Sequence, residues 1–120
     1  MSRILVIDDS AVQRMLARAL LEEADFEVID AADGKTGLSR ARDETVDCIL
    51  LDWLMPETSG HDVLSGFQEQ GNQIPIIVVT GDPSDETTAE CSRLGAAAVI
   101  DKNPENLVNA VKSVLRPEAG

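Results

Sequence analysis

Ile4-Leu5-Val6-Ile7-Asp8-Asp9-Ser10 is the stretch on which the fold turns. Four consecutive branched aliphatic residues leave no polar face, so a strand made of them must be covered on both sides. Two acids stop the run. Ser10, with Gln13 three residues on, then has the pattern of a helix N-cap with a capping box. A doubly covered strand followed at once by a helix is the βα unit of a parallel sheet. The unit recurs along the chain. Cys48-Ile49-Leu50-Leu51 and Ile76-Ile77-Val78-Val79 are further continuous apolar runs, and Ala96 to Ile100 is a strand of small residues. Phe26 to Ala31 alternates apolar with acidic residues, which suits an edge strand.

The helical segments are read from their periodicity. Val12, Met15, Leu16, Ala19 and Leu20 stand at i, i+3, i+4, i+7 and i+8, which predicts one shared core-facing stripe. Gly34 to Arg42 and His61 to Gln70 follow, the latter weakened by Gly66. Met55 to Gly60 reads as a loop. Asp82 is expected to cap a helix with Pro83 at its first position, running to about Leu94. That helix has poor formers (Thr87, Thr88, Cys91) and a thin apolar face, so it is expected to be mobile. Asn103 and Pro104 open the last helix, whose stripe is Leu107, Val108, Val111, Val114 and Leu115. Five β/α repeats predict an α/β fold: a five-stranded parallel sheet with helices on both faces. With the alternating second strand at an edge, the order is the flavodoxin-like 2-1-3-4-5. Residues 1–120 are expected to be one domain, with a core at about 3–115 and a tail at 116–120.

Composition narrows the partners. The 120 residues carry 22 acids against 10 Lys and Arg, for a net charge of −12. Such a surface repels nucleic acid and anionic membranes and favours cations and basic protein faces. Trp53, Phe26 and Phe67 are the only aromatic rings besides His61, so the core must be aliphatic. Cys48 and Cys91 lack metal-like spacing and are expected as reduced, buried thiols. No leader is expected, and no apolar run approaches membrane-spanning length, so a cytoplasmic location is expected.

Ligands of doubly wound sheets bind at the carboxyl ends of the strands. Those ends carry Asp8 and Asp9, Asp52, Thr80 and Lys102. With strands one and three adjacent, three carboxylates converge. Each would have its pKa raised unless a cation intervened. Mg²⁺ takes carboxylate, water and phosphate oxygens, so the acidic pair reads as a metal seat. A carboxylate can also attack phosphorus to give an acyl phosphate. In that chemistry Asp52 is the nucleophile, Lys102 pairs with one phosphoryl oxygen, Thr80 hydrogen-bonds another, and Gly81 leaves room. Any one of these residues is explained by a chain surfacing at a strand end; their coincidence at four strand ends is not.

Ile7-Asp8-Asp9-Ser10, Leu51-Asp52-Trp53-Leu54-Met55-Pro56, Val79-Thr80-Gly81 and Asp101-Lys102 together resemble the receiver domain of two-component response regulators, close to the single-domain chemotaxis type. The resemblance runs to about Leu115. It implies that Asp52 is the phosphoacceptor, and that Asp8, Asp9, Asp52 and the backbone carbonyl of Leu54 bind Mg²⁺. It makes Thr80 the switch hydroxyl and Lys102 the phosphate partner. It further implies a phosphohistidine donor on a sensor histidine kinase or histidine phosphotransfer protein, an effector protein downstream, and a monomer or weak dimer. Activity would be limited to self-phosphorylation and autodephosphorylation. His61, the sole histidine, is expected to face solvent near a helix start rather than carry phosphate. Two positions depart from the family pattern. Asn103 stands between Lys102 and Pro104 where the family has Lys followed by Pro, and Val99 stands where an aromatic relay residue is frequent. Leu54 and Asp82 occupy positions that tune phosphoryl lifetime in the family.

Three rivals are kept in view. A Mg²⁺-dependent phosphatase of the haloacid dehalogenase type would want a second Asp two residues after the nucleophile, where this chain has Leu54. A flavodoxin-like mononucleotide binder would want a Gly/Ser/Thr-rich loop where Asp8 and Asp9 stand. A degenerate receiver would act only as a binding module.

Overall fold

The apolar runs form the middle of a five-stranded parallel sheet in the computed structural model, which describes residues 2–55, 59–81 and 83–115. In chain order the elements are β1 (Arg3–Ile7), α1 (Ala11–Glu23), β2 (Glu27–Ala31), α2 (Gly34–Asp43), β3 (Cys48–Asp52), α3 (Gly60–Glu69), β4 (Ile76–Val79), α4 (Asp85–Arg93), β5 (Ala98–Ile100) and α5 (Pro104–Leu115). The strand order is β2-β1-β3-β4-β5, so the alternating strand lies at an edge as its pattern predicts. Register places Ile7 opposite Leu51 and Asp52 opposite Val79, which brings the strand ends level.

Side chains alternate across the strands into two apolar clusters. Leu5, Ile7, Ile49, Leu51 and Val78 pack with Val63, Leu64 and Phe67 of α3 and Cys91 of α4. Ile4, Val6, Leu50 and Ile77 face Ala17 and Leu21 of α1 and Val111 of α5. The continuous aliphatic runs are thus spent on two buried faces. Leu107, Val108, Val114 and Leu115 join the second cluster, as the stripe of α5 predicts. Both cysteines are free and buried, and burial pushes the Cys48 thiol up to about 12. No helix among the described residues is long and apolar enough to cross a membrane.

Two expectations need correction. The stripe of α1 does not face the sheet: Val12, Met15 and Leu16 are 63, 67 and 53 % exposed, Ala19 is exposed, and Ala17 and Leu21 are buried instead. Arg14 and Arg18 are the reason. Their guanidiniums reach β2, donating to the Asp30 carboxylate (3.2 Å) and the Val28 carbonyl (3.0 Å), which fixes the rotation of the helix. Small Ala17 lets the helix approach the sheet, and α1 has more apolar residues than one face can bury. The second correction concerns α4. Its N-cap is Ser84, whose hydroxyl accepts from the Thr87 amide, so Pro83 precedes the helix. Asp82 lies outside the described residues, as do residues 56–58 of the expected loop and the tail at 116–120.

Close approach explains two glycines. A Cβ on Gly66 would stand 3.1 Å from Leu38, so its absence lets α2 and α3 pack tightly. Gly60 is more constrained: its amide donates to the Trp53 carbonyl (3.0 Å), and a Cβ there would lie 2.6 Å from that oxygen and 2.7 Å from Trp53 Cα. Backbone cannot swing aside as a side-chain tip can. Gly60→Ala is therefore expected to lower unfolding free energy by about 2 kcal/mol. Gly81→Ala, whose new Cβ meets nothing within 4 Å, should stay within about 0.5 kcal/mol. Urea midpoints of the two variants check this, and equal midpoints would refute it.

Candidate functional site

Because β1, β3, β4 and β5 are neighbours, the residues that leave their carboxyl ends meet. Asp8 follows β1, Asp52 ends β3, Thr80 follows β4, and Lys102 lies two residues beyond β5. Asp52 and Thr80, 5 and 1 % exposed, are the buried polar residues among those described. The Thr80 amide donates to the Ile100 carbonyl (3.0 Å), which extends the ladder past β4 and holds the residue beside β5.

The carboxylates of Asp8, Asp9 and Asp52 each place an oxygen within 4.8 Å of the others. Asp52 Oδ1 is buried and has no hydrogen-bond partner among the described residues. Lys102 Nζ stands 3.4 Å from it. A buried carboxylate oxygen left without a hydrogen bond is costly, and a cation or a proton donor at this point relieves the cost. Asp8 is held more closely. Its amide donates to the Ala31 carbonyl (3.1 Å), and its Oδ1 accepts from the Ser10 amide (2.9 Å). Burial pushes the Asp8 carboxyl up to about 6; the charges of Asp52 and Asp9 push the same way, against the Ser10 amide and Lys102. Three hard oxygen donors crowded this way, one buried and one hindered in ionising, suit a divalent cation. This acidic group could hold a metal ion.

Lys102 is presented by a loop with its own hydrogen bonds. Asp101 Oδ1 accepts from the Asn103 amide (3.0 Å) and from Asn106 Nδ2 (2.8 Å), and Asn103 Oδ1 accepts from the Glu105 amide (3.0 Å). Asn103 thus caps α5, as its position before Pro104 predicts. By sequence Asp101 stands out only as part of the Asp101-Lys102 motif; its bonds to Asn103 and Asn106 are a finding of the structure, for which the Asp-x-Asn spacing is the sequence signal. Leu54 exposes 66 % of its surface beside the site, and the half-buried Val99 packs against the first apolar cluster. His61 is half exposed but not free. Its Nε2 lies 3.0 Å from Glu90 Oε1, and its ring stands 6.4 Å from that of Trp53, so it ties the start of α3 to α4. A cleft of about 80 Å³ runs from Asp52 and Lys102 between α1 and α5, past Leu16, Leu20, Pro104 and Leu107.

The model of the response regulator receiver domain matches residues 4–112. The chain belongs to the response regulator receiver domain family. It is therefore a receiver of two-component systems, a class of signal switches rather than turnover enzymes. The chain is 35 % identical over 118 residues to the transcriptional regulatory protein CpxR of Escherichia coli K12, covering 97 % of this chain and 50 % of CpxR. It spans about half the length of the curated relatives it matches. Among solved structures it resembles the chemotaxis protein CheY4 of Vibrio cholerae, with a TM-score of 0.89, 32 % identity and coverage of 96 and 99 % of the two chains. The response regulator protein TrrA of Thermotoga maritima, solved in complex with Mg²⁺–BeF, is 29 % identical with a TM-score of 0.84 and coverage of 96 and 100 %.

The raised pKa of Asp8 has a consequence for this receiver's stability. The native state holds the Asp8 proton more tightly than the unfolded chain, so stability falls as pH rises from about 3.8 to about 6 and the full cost is present above that. Asp8→Asn removes the charge while keeping an oxygen for the Ser10 amide. Solvent screening at a half-exposed group discounts the gain to the order of 1 kcal/mol, or about 4 °C in Tm. Without divalent cations at pH 7 the variant should melt higher by that amount. The difference should vanish below pH 3.8, the ordinary Asp value. A lower Tm at pH 7 would contradict it.

Proposed function

We propose that this receiver accepts a phosphoryl group on Asp52 from a phosphohistidine and uses it to change its binding to a partner protein. The observation that carries the reading is the Asp52 carboxylate, buried with an oxygen lacking a hydrogen bond, facing Lys102 and flanked by two further acids. An Asp52 oxygen attacks phosphorus, the bond from phosphorus to the donor imidazole breaks, and the imidazole leaves with the electron pair. Lys102 pairs with one equatorial oxygen of the transferring group and the Thr80 hydroxyl donates to another. Asp8, Asp9, Asp52 and the backbone carbonyl of Leu54 are the residues that would hold Mg²⁺, which when bound supplies charge neutralisation to the phosphoryl oxygens. The Mg²⁺–BeF complex of the similar Thermotoga protein supports that choice of ion.

The donor is a sensor histidine kinase or a histidine phosphotransfer protein. Exposed Val12, Met15 and Leu16 on the helix after Asp8 and Asp9, with exposed Leu54 two residues past Asp52, offer it apolar surface. The net charge of −12 argues for protein partners over direct nucleic-acid contact. Residues 1–120 act as one cytoplasmic receiver unit, monomeric or weakly dimeric. Transfer to and loss from Asp52 are its only chemistry.

The signal leaves through α4. On phosphorylation Thr80 is drawn toward the phosphoryl group and shifts a pre-existing equilibrium of the helix that follows. Within α4 only Cys91 is buried, so little apolar contact opposes the shift. Amide exchange over 84–92 should change on adding beryllofluoride with Mg²⁺, and an unchanged pattern would exclude this route.

Incubation with Mg²⁺ and acetyl phosphate, followed by intact mass, tests the transfer. One base-labile phosphoryl adduct is expected in the wild type and none in Asp52→Asn. No adduct with any donor would leave a receiver that only binds partners.

A further inference from the structure

We propose that Arg14, balanced by Asp30, is a positioning residue for the metal seat; this rests on the reading that the acidic group holds a divalent cation. Arg14 is on α1, outside every motif that marks the site. Its side chain is only 19 % exposed. Its Nη1 donates to the Asp8 carbonyl (2.7 Å), and its Nε donates to Asp30 Oδ2 (3.2 Å).

The first contact fixes the residue that carries the seat. Asp8 lies one position past β1, where the register with β3 ends at Ile7 opposite Leu51. Its carbonyl has left the sheet, and the guanidinium takes the place of a ladder donor. Together with the Asp8 amide on Ala31 and the Ser10 amide on Oδ1, this bond restrains Asp8 at its amide, its carbonyl and one carboxylate oxygen. Because Arg14 bonds the carbonyl rather than the carboxylate, the carboxylate keeps its free lone pairs for a cation.

The second contact answers an electrostatic problem. A guanidinium this close to a cation seat repels the cation it helps to place. Asp30 offsets that charge. The Asp30 carboxylate also faces Arg18 Nη2 at 3.8 Å, and its carbonyl accepts from Arg40 Nη1 at 2.7 Å, so the counter-charge is anchored from α1 and α2. Arg14 therefore delivers geometry to Asp8 while Asp30 offsets its charge. A merely structural ion pair of this exposure would contribute little to stability and leave metal affinity unmoved.

Mg²⁺ titration of the full chain, followed by Trp53 fluorescence and by calorimetry, separates the two roles. Loss of an outer contact of this kind costs about tenfold or more in metal affinity, so Arg14→Met should weaken Mg²⁺ by about that factor. Arg14→Lys, which keeps the charge and one donor, should fall between. Asp30→Asn leaves the guanidinium in place but unbalanced, so Mg²⁺ should weaken, with a deficit that shrinks as salt rises. The double variant should bind no worse than Arg14→Met. Circular dichroism establishes that each variant is folded, and if Arg14→Met is not, Arg14→Lys carries the test. A folded Arg14 variant binding within about twofold of wild type, well under the expected loss, would overturn the proposal. So would an Asp30→Asn deficit that salt leaves unchanged. If the wild type itself binds no Mg²⁺, the metal seat and this proposal fall together, a result distinct from normal wild-type binding with unaffected variants.

Discussion

Three carboxylates crowd the end of a sheet whose strands are buried on both faces. The parallel register that sets Ile7 against Leu51 and Asp52 against Val79 leaves Asp8, Asp9 and Asp52 no choice but to converge. The aliphatic runs cannot slip to relieve the repulsion, because a shift of one residue would exchange the two buried clusters. The repulsion is therefore built in and must be met by positive charge. Lys102 meets part of it from 3.4 Å, and the acidic group that remains could hold a cation. Burial first, and then the charges of Asp52 and Asp9, push the Asp8 carboxyl up.

Around this centre the molecule divides into a fixed part and a lightly held part. The β1–α1 turn is fastened by the Ser10 amide, the Ala31 carbonyl and Arg14. The β5–α5 turn is fastened by Asp101 and Asn103. By contrast, α4 buries only Cys91 within its length and is tied to α3 through the His61–Glu90 pair. That division suits the proposed switch, in which a firmly held site would bias one lightly held element.

Most of this was legible in the sequence because it is written in local patterns. The unbroken runs at Ile4–Ile7 and Ile76–Val79 have one structural solution, and the alternating run at Phe26–Ala31 marks its own edge. The site residues could be listed because each stands where such a run ends. The rotation of α1 was not legible. Its apolar residues fit a helix stripe, but Arg14 and Arg18 bond to β2, and long-range polar contacts of that kind leave no periodic trace. For the same reason Asp30 looked like an ordinary edge acid, and the partner of His61 on α4 could not be foreseen. The cap of α4 is not fixed by sequence, because Asp82 and Ser84 are both good caps; the structure uses Ser84.

In the proposed function the phosphoryl group resides on one carboxylate, that of Asp52. Borohydride reduces an acyl phosphate, turning the aspartyl residue that bears it into homoserine. Peptide mapping after phosphorylation in Mg²⁺ and borohydride treatment should find homoserine at position 52 and nowhere else. Homoserine at Asp8 or Asp9, or phosphate surviving on Thr80, would contradict the assignment of Asp52 as the acceptor.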